Sequence, residues 1–367
     1  MINDTNILKK FIPLLAKVVD GENLTIEESR YAFETILRHD ADGYHYTSFI
    51  SAIHAKGETA DELMGFIRVM QKALTPLATK IDENRIIDVS GTGGGAFKTL
   101  NVSTTVSFVV AAAGYAVGKA AYHGVTSPTG SADAFQAFGV DITKLNKKLV
   151  EETISTVGVC PFFLPYLSPG LENASKLAQK VFIEHQVLIR TPFHLATGAF
   201  SPYKTNRKLY GCYSKSYLPI LAELFKKMGY KKSLVVHGAI GMPELSNVGE
   251  SVVAEQSNEK IKIYTIRPED VGITRSSPEE IRSRGREDNI INLLKVLKGT
   301  AHRAKTDLII MNAGAALYAL DGADSLARGI EKARDVLLSG KPYEIFTKLI
   351  KKVGSTEKLK AWEEKIR

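Results

Sequence analysis

Apolar side chains recur at helical spacing through the first seventy residues of the chain. Ile7, Phe11, Leu14, Leu15 and Val18 fall at positions i, i+4, i+7, i+8 and i+11, which share one face of an α-helix. A stripe of this kind stabilises a helix by packing against a neighbouring element. The first part of the chain is therefore predicted to be helical, with these side chains in its core.

Capping signals divide this part into separate helices. Thr25 stands three residues before Glu28, and Thr59 stands three residues before Glu62. Both pairs have the spacing of a capping box, in which two backbone N–H groups at a helix start are satisfied reciprocally. Gly57 stands where the preceding helix should end, because glycine adopts the left-handed conformation of a helix C-terminus at little cost.

The pattern changes after Pro76, where short apolar runs alternate with helical stretches. Strands are predicted at 86–89, 116–121, 234–237 and 261–266, and helices at 102–113, 131–138 and from 287 to the end. Such alternation predicts an α/β fold with a mostly parallel sheet and helices on its faces. The predicted domains are a small all-helical domain over 1–76, joined by the segment 171–200, and a larger α/β domain over 77–170 and 201–367.

Composition narrows the class of protein. Of the 367 residues, 44% are hydrophobic and 24% charged, as in ordinary globular proteins. No run approaches the ~18 apolar residues of a membrane span, and the N-terminus lacks the layout of a signal peptide. With Cys160 and Cys212 as the only cysteines, a cytoplasmic protein without a disulfide framework is expected. The net charge of +8 is compatible with nucleic acid or with a phosphate-rich small molecule.

A glycine-rich run directly follows the first predicted strand. It consists of Gly91, Thr92, Gly93, Gly94 and Gly95. Glycine lets the backbone turn tightly and approach a ligand, and successive backbone N–H groups form a concavity that binds anions. Asn101, Ser103 and Thr104 begin the next predicted helix, whose N-terminus adds partial positive charge. The run is therefore predicted to hold phosphate groups.

Other interpretations compete for this run. Gly91, Gly93 and Ala96 satisfy the loose dinucleotide fingerprint, but no acid stands at the end of the next strand to hold a ribose. A turn without a ligand is disfavoured, because four glycines in five residues carry an entropic cost unless something requires them. A Walker A loop is excluded, because no Gly-Lys-Ser/Thr follows.

The sequence around the run resembles the anthranilate phosphoribosyltransferase family. The family pattern Gly-Thr-Gly-Gly-Asp-Gly, then Thr-x-Asn-x-Ser-Thr two residues later, is matched at Gly91, Thr92, Gly93, Gly94, Thr99, Asn101, Ser103 and Thr104. Further family-like segments lie at 119–133, 209–214, 235–238, 268–272 and 312–318. Because these blocks keep the family's order, the resemblance extends along nearly the whole chain.

The resemblance implies a fold and a reaction. The fold is a small helical domain packed on a larger α/β domain, with the active site in the cleft and a homodimer formed through the helical domain. The reaction transfers the phosphoribosyl group of phosphoribosyl pyrophosphate to an aromatic amine, anthranilate, in tryptophan synthesis with Mg²⁺ present. The residues expected to bind phosphoribosyl pyrophosphate are those of the glycine run with Thr99, Asn101, Ser103, Thr104, Lys119 and Ser127. The acceptor is expected to contact Tyr122, His123, Glu184 and His185. The metal ion is expected to be held by Ser103 and Glu244.

The chain departs from the family at several of these positions. Gly95 replaces the aspartate after the glycines, and Pro243 replaces the first carboxylate of a metal-binding Asp-Glu pair. The loss at Pro243 weakens the expectation of a second Mg²⁺. Tyr122 replaces a small amide, and without a gap in the alignment Glu184 falls where the family has an arginine that binds the acceptor. Because the segment between Pro169 and Arg190 is about six residues longer than in the family, Lys176 or Lys180 is the alternative for that role. Since glutamate repels a carboxylate, these changes predict weaker use of anthranilate, or use of an uncharged or cationic amine.

Three functions remain open from the sequence. The first is phosphoribosyl transfer to anthranilate, and the second is transfer to another nitrogenous acceptor. The third is a member without catalysis that binds nucleic acid or phosphorylated ligands through its basic surface. The missing carboxylates and the charge of +8 favour the third, whereas the retained glycine run, Asn-x-Ser-Thr and Lys119 favour the first two.

Overall fold

The computed structural model describes residues 5–40, 42–123, 130–186 and 191–366. Its α-helices are α1 Thr5–Val19, α2 Ile26–His39, α3 Tyr44–Lys56, α4 Ala60–Ala73, α5 Val102–Ala112, α6 Ser131–Ala137, α7 Lys147–Val157, α8 Leu164–Leu167, α9 Glu172–Ala178, α10 Pro192–Ala196, α11 Leu218–Lys227, α12 Pro278–Ile281, α13 Arg286–Leu297, α14 Arg303–Ala319, α15 Leu326–Leu338, α16 Lys341–Val353 and α17 Thr356–Glu364. Its strands are β1 Ile86–Gly91, β2 Ala116–Ala120, β3 Val159–Phe162, β4 Arg207–Gly211, β5 Lys232–His237, β6 Ser251–Ser257 and β7 Lys260–Ile266.

The N-terminal helices form a bundle around stacked aromatic side chains. The rings of Phe33 and Phe66 lie 4.8 Å apart between centroids, and those of Phe11 and Phe49 lie 5.5 Å apart. Both predicted capping boxes form at the starts of α2 and α4. The bundle therefore begins its helices where the Thr-x-x-Glu pairs indicate, and the predicted all-helical N-terminal domain is confirmed.

The segment after α8 returns to this bundle. Helix α9 contacts α2, and the π-helical turn Gln179–Glu184 that follows places the ring of Phe182 6.4 Å from that of Tyr46. Lys180 forms a salt bridge of 3.2 Å with Asp42. Contacts of this kind are expected if residues 171–200 belong to the helical domain. The domain bounds stay a prediction.

Seven strands form one sheet in the order β3-β2-β1-β4-β5-β6-β7. The first five are parallel, and β6 and β7 join as antiparallel strands. The prediction of an α/β domain with a mostly parallel sheet is confirmed. None of the helices in the described ranges combines the length and the apolar content needed to cross a bilayer.

The strand order fixes where a ligand would bind. The chain passes from β1 to β2 on one side and later returns to β4 on the other side of β1. In sheets of this type, the crevice outside the carboxyl ends of the strands at this reversal is the usual binding site. The glycine run leaves the carboxyl end of β1 at this point, so the fold brings it to the crevice between β1 and β4.

Candidate active site

Three loops meet at the carboxyl ends of β1, β4 and β5. The Thr92 N–H donates to the Gly211 carbonyl over 2.8 Å, and the Tyr213 N–H donates to Thr92 Oγ1 over 3.0 Å. At the other end of the glycine run, the Ala96 N–H donates to the Gly241 carbonyl over 3.0 Å. Both ends of the run are thus anchored by neighbouring loops, with Gly93, Gly94 and Gly95 between the anchors.

The glycines of this run serve different purposes. Gly93 has φ +61°, a left-handed conformation that L side chains rarely adopt, and a Cβ added there would meet no atom within 4 Å. Its backbone is exposed at the crevice. At Gly95 an added Cβ would lie 2.5 Å from Pro243 Cδ and 3.1 Å from the Gly241 carbonyl oxygen. Gly93 is required for backbone conformation, whereas Gly95 is required because the loop after β5 packs directly on it.

Helix α5 begins at the end of the same loop. The Thr99 hydroxyl donates to the Ile281 carbonyl over 2.8 Å, and the Asn101 N–H donates to Asn289 Oδ1 over 2.9 Å. Thr104 is 1% exposed, and its hydroxyl has no hydrogen-bond partner within the described residues. Thr99 and Asn101 therefore fix the loop against the C-terminal helices. Ser103 and Thr104 stand in the first turn of α5, where backbone N–H groups favour an anion.

Lys119 brings a buried ammonium group to the strand beside β1. It is 5% exposed, and its Nζ donates to the Ala120 carbonyl over 3.0 Å. Burial lowers the pKa of Lys119 to about 8, and the charge of Asp88 opposes this effect. An ammonium has three N–H donors, so further oxygen acceptors would stabilise it. A phosphate in the crevice would supply both the acceptors and the compensating charge.

A buried charged cluster lies below the glycine run. Lys208, at 0% exposure, pairs with the buried Asp88 over 3.2 Å. Burial lowers the pKa of Lys208, and Asp88 opposes the shift. Ser90 Oγ lies 2.5 Å from Asp88 Oδ1 and 2.8 Å from the Gly198 carbonyl oxygen. This cluster was not predicted from the sequence. The aspartate inside an apolar strand was a signal for it, because a buried charge requires a partner.

Two of the predicted acceptor residues follow β2. The Tyr122 ring is half-buried and packs edge-on against Phe163, with 5.6 Å between ring centroids. Burial raises the pKa of the Tyr122 hydroxyl. His123 is exposed, and its Nδ1 lies 2.7 Å from Asp133 Oδ1. Tyr122 thus keeps only part of its ring accessible to a planar ligand, and His123 is held by a carboxylate at the rim.

The remaining acceptor candidates lie on the helical side. Glu184 ends the π-helical turn, His185 follows it, and both side chains are exposed. Water and salt screen an exposed carboxylate strongly. The repulsion between Glu184 and an anionic acceptor is therefore smaller than the sequence alone indicates. Ser127, predicted at phosphoribosyl pyrophosphate, lies outside the described residues.

Glu244 is the carboxylate that the loop after β5 brings to the site. Its side chain is half-buried, and burial raises its pKa to about 7, against the opposing charge of Lys98. The described residues contain no group of three or more His, Cys, Asp or Glu side chains that could hold a metal ion by themselves. One carboxylate fits an Mg²⁺ ion that is also held by substrate phosphates, since Mg²⁺ is commonly bound through one or two carboxylates plus phosphate.

Glu244→Gln is expected to lower Mg²⁺-dependent turnover by about tenfold, since a metal contact of this kind is worth about 1.4 kcal/mol or more. Initial rates measured over a series of Mg²⁺ concentrations would show the loss. Glu259→Gln, an exposed glutamate in the β6–β7 hairpin, serves as the control. Unchanged turnover and unchanged half-saturation by Mg²⁺ in Glu244→Gln would remove Glu244 from the metal site.

Known proteins share this architecture and sequence. The profile described as "Glycosyl transferase family, a/b domain" matches residues 83–343, and the one described as "Glycosyl transferase family, helical bundle domain" matches residues 12–74. The anthranilate phosphoribosyltransferase of Desulfotalea psychrophila is 35% identical over 329 residues, covering 89% of this chain and 92% of that protein. The chain belongs to the anthranilate phosphoribosyltransferase family. The enzyme of the same name from Methanosarcina mazei is 35% identical over 337 residues, covering 91% of this chain and 87% of that protein.

Solved structures agree with the family. Anthranilate phosphoribosyltransferase from Thermus thermophilus superposes with a TM-score of 0.81 at 28% identity, covering 93% of this chain and 99% of that one. The Saccharomyces cerevisiae enzyme in complex with phosphoribosyl pyrophosphate and Mg superposes with a TM-score of 0.81 at 22% identity, covering 96% of this chain and 98% of that one. The second likeness supports the fold of this member of the family.

Proposed function

We propose that this chain transfers the 5-phosphoribosyl group from phosphoribosyl pyrophosphate to anthranilate. The observation that carries the proposal is the glycine run at the carboxyl end of β1, at the switch point of the sheet, with the N-terminus of α5 and the buried Lys119 beside it. These features provide oriented backbone dipoles and one positive charge at a single crevice. Relatives named for this reaction, at 35% identity over about nine-tenths of the chain, support the same activity.

In the proposed step, the amine nitrogen forms a bond to C1 of the ribose while the bond from C1 to the pyrophosphate oxygen breaks. The bonding electron pair leaves with pyrophosphate, and the amine proton passes to solvent. Negative charge therefore grows on the departing group, and donors aligned in advance stabilise it without reorganising. The backbone of the glycine run, the first turn of α5 and Lys119 would do so. Mg²⁺ bound to the pyrophosphate would supply additional positive charge there, with Glu244 and Ser103 as its protein ligands.

The acceptor is tested by steady-state kinetics. We expect anthranilate to react with a kcat/KM of about 10⁴ M⁻¹s⁻¹ or above, and to exceed aniline and other neutral aromatic amines. The exposure of Glu184 supports this expectation, because screening limits its repulsion of the anthranilate carboxylate. Preference for a neutral or cationic amine would contradict anthranilate as acceptor and favour a member with another nitrogenous substrate.

Assembly and location are further parts of the proposal. Helix α1 exposes Ile12 and Val19 at 56% and 66%, and an apolar surface on the helical domain supports a homodimer formed there. Cys160 and Cys212 are buried and do not form a disulfide, which supports a reducing compartment such as the cytoplasm. Sedimentation equilibrium would report a monomer if the dimer proposal were wrong.

A further inference from the structure

Lys98 lies within the loop that joins β1 to α5, and its side chain turns back over the glycine run. Its Nζ donates to the Gly95 carbonyl over 2.8 Å. Its own carbonyl accepts from the Ser283 N–H over 3.1 Å, which fixes the backbone of Lys98 against the C-terminal half of the chain. The ammonium group is therefore held at the crevice by both its backbone and its side chain.

The same ammonium lies close to the loop after β5. Gly95, which accepts from Lys98, is also the residue on which that loop packs. The Lys98 side chain and the loop that carries Glu244 therefore meet at Gly95.

The packing of Gly95 on Pro243 limits how many carboxylates can lie where Lys98 and this loop meet. A Cβ at residue 95 would lie 2.5 Å from Pro243 Cδ, a distance that real Cβ contacts do not reach. No side chain can therefore stand at residue 95 while the Pro243 ring occupies its place, and proline itself offers no metal ligand. Within the part of the chain that the structure describes, no group of three or more His, Cys, Asp or Glu side chains could hold a metal ion here, so Glu244 provides for one Mg²⁺ shared with substrate phosphate.

We propose that the Lys98 ammonium binds the pyrophosphate group of the substrate directly and replaces a second metal ion in this site. The inference rests on the proposed function and specifies its cation set: one divalent ion at Glu244 and one ammonium at Lys98 for each bound phosphoribosyl pyrophosphate. A lysine ammonium suits this role, because it is a compact point charge with three rotatable donors on a flexible stem. The Gly95 carbonyl occupies one donor and positions the group.

The test combines calorimetry with metal counting on the full-length protein. Phosphoribosyl pyrophosphate is titrated into wild type, Lys98→Met and Lys148→Met at saturating Mg²⁺. Lys148 is an exposed lysine of α7 and controls for the loss of one positive charge. Mn²⁺ replaces Mg²⁺ in a second series, in which electron paramagnetic resonance counts bound Mn²⁺ for each bound substrate. The thermal unfolding midpoint of each variant confirms folding.

We expect wild type to bind one Mn²⁺ with each substrate. Lys98→Met should bind phosphoribosyl pyrophosphate about 10- to 150-fold more weakly, the range of a charge-assisted hydrogen bond, while Lys148→Met stays within about twofold of wild type. Two Mn²⁺ per substrate in wild type, or Lys98→Met within twofold of wild type, would overturn the inference and leave the proposed function intact. Failure of wild type to bind the substrate would overturn both. If Lys98→Met failed to fold, Lys98→Gln, which keeps a donor to Gly95 but no charge, must show the same loss.

Discussion

Gly93→Val is expected to abolish binding of phosphoribosyl pyrophosphate. Gly93 adopts φ +61°, and a β-branched residue in that conformation costs on the order of 1–3 kcal/mol. An added Cβ meets no protein atom within 4 Å, so the valine side chain would extend into the crevice that the phosphates are proposed to occupy. Calorimetric titration should show affinity reduced by at least about 100-fold, equivalent to about 2.7 kcal/mol.

Gly299→Val is the matched control for backbone strain. Gly299 follows α13, has φ +72°, and also has open space around an added Cβ. It should lose stability to a similar extent while keeping its affinity for phosphoribosyl pyrophosphate. If a folded Gly93→Val protein bound the substrate as tightly as Gly299→Val does, the glycine run could not be the phosphate site.

Lys119→Met is expected to weaken binding of phosphoribosyl pyrophosphate and to stabilise the ligand-free protein. Removing the charged contact should cost about 10- to 150-fold in affinity. Burial lowers the pKa of Lys119 to about 8, which means that folding penalises its charged form. Methionine removes that penalty and fills similar space, so the thermal unfolding midpoint of the ligand-free variant should rise.

The pH dependence separates this role from a general effect of charge. In wild type, affinity should fall as pH rises through about 8 and above, because the ammonium of Lys119 loses its proton. The pKa is about 8 in the folded state and about 10.4 in the unfolded state. The unfolded state therefore binds more protons between these values, and this group makes the free energy of unfolding rise with pH there. Lys119→Met should lack both dependences.

Lys360→Met, which changes an exposed lysine of α17, should retain the affinity of wild type and both pH dependences. A Lys119→Met protein that binds the substrate as wild type does at pH 7 would show that Lys119 serves the fold alone.

Local sequence signals predicted the elements that carry the proposed phosphate site. The Thr-x-x-Glu pairs at Thr25 and Thr59 cap helices in the structure, because capping depends on residues three positions apart. The apolar run before Gly91 forms β1, and the prediction of α5 is accurate to one residue at its end. The spacing of apolar residues and the glycines after β1 were sufficient to predict both elements, because each element is buried and is determined by residues close together in the sequence.

Other elements depended on contacts between residues distant in sequence. Strand β4 begins with Arg207 and Lys208, which look like surface residues but pair with Asp321 and Asp88 across the fold. Strand β3 contains Pro161 and is tolerated because it lies at the edge of the sheet. A local sequence pattern shows neither the distant salt-bridge partners of β4 nor the edge position of β3, so neither strand was predicted.

The candidate site was also predictable only in part. The glycines between a predicted strand and a predicted helix predicted a phosphate site, and the structure places this run at the carboxyl end of β1, before α5. The two departures at Gly95 and Pro243 looked independent in sequence, and only the structure shows that they pack against each other. How strongly Glu184 repels an anionic acceptor likewise depends on its exposure to solvent, which cannot be read from its position in the sequence.

The central claim is tested most directly by a single-turnover reaction. The protein is held in excess over phosphoribosyl pyrophosphate with Mg²⁺, and pyrophosphate release is followed with and without anthranilate. We predict that anthranilate triggers release of one pyrophosphate per phosphoribosyl pyrophosphate, with formation of N-phosphoribosyl anthranilate. Intact phosphoribosyl pyrophosphate after prolonged incubation with anthranilate would contradict phosphoribosyl transfer to this acceptor.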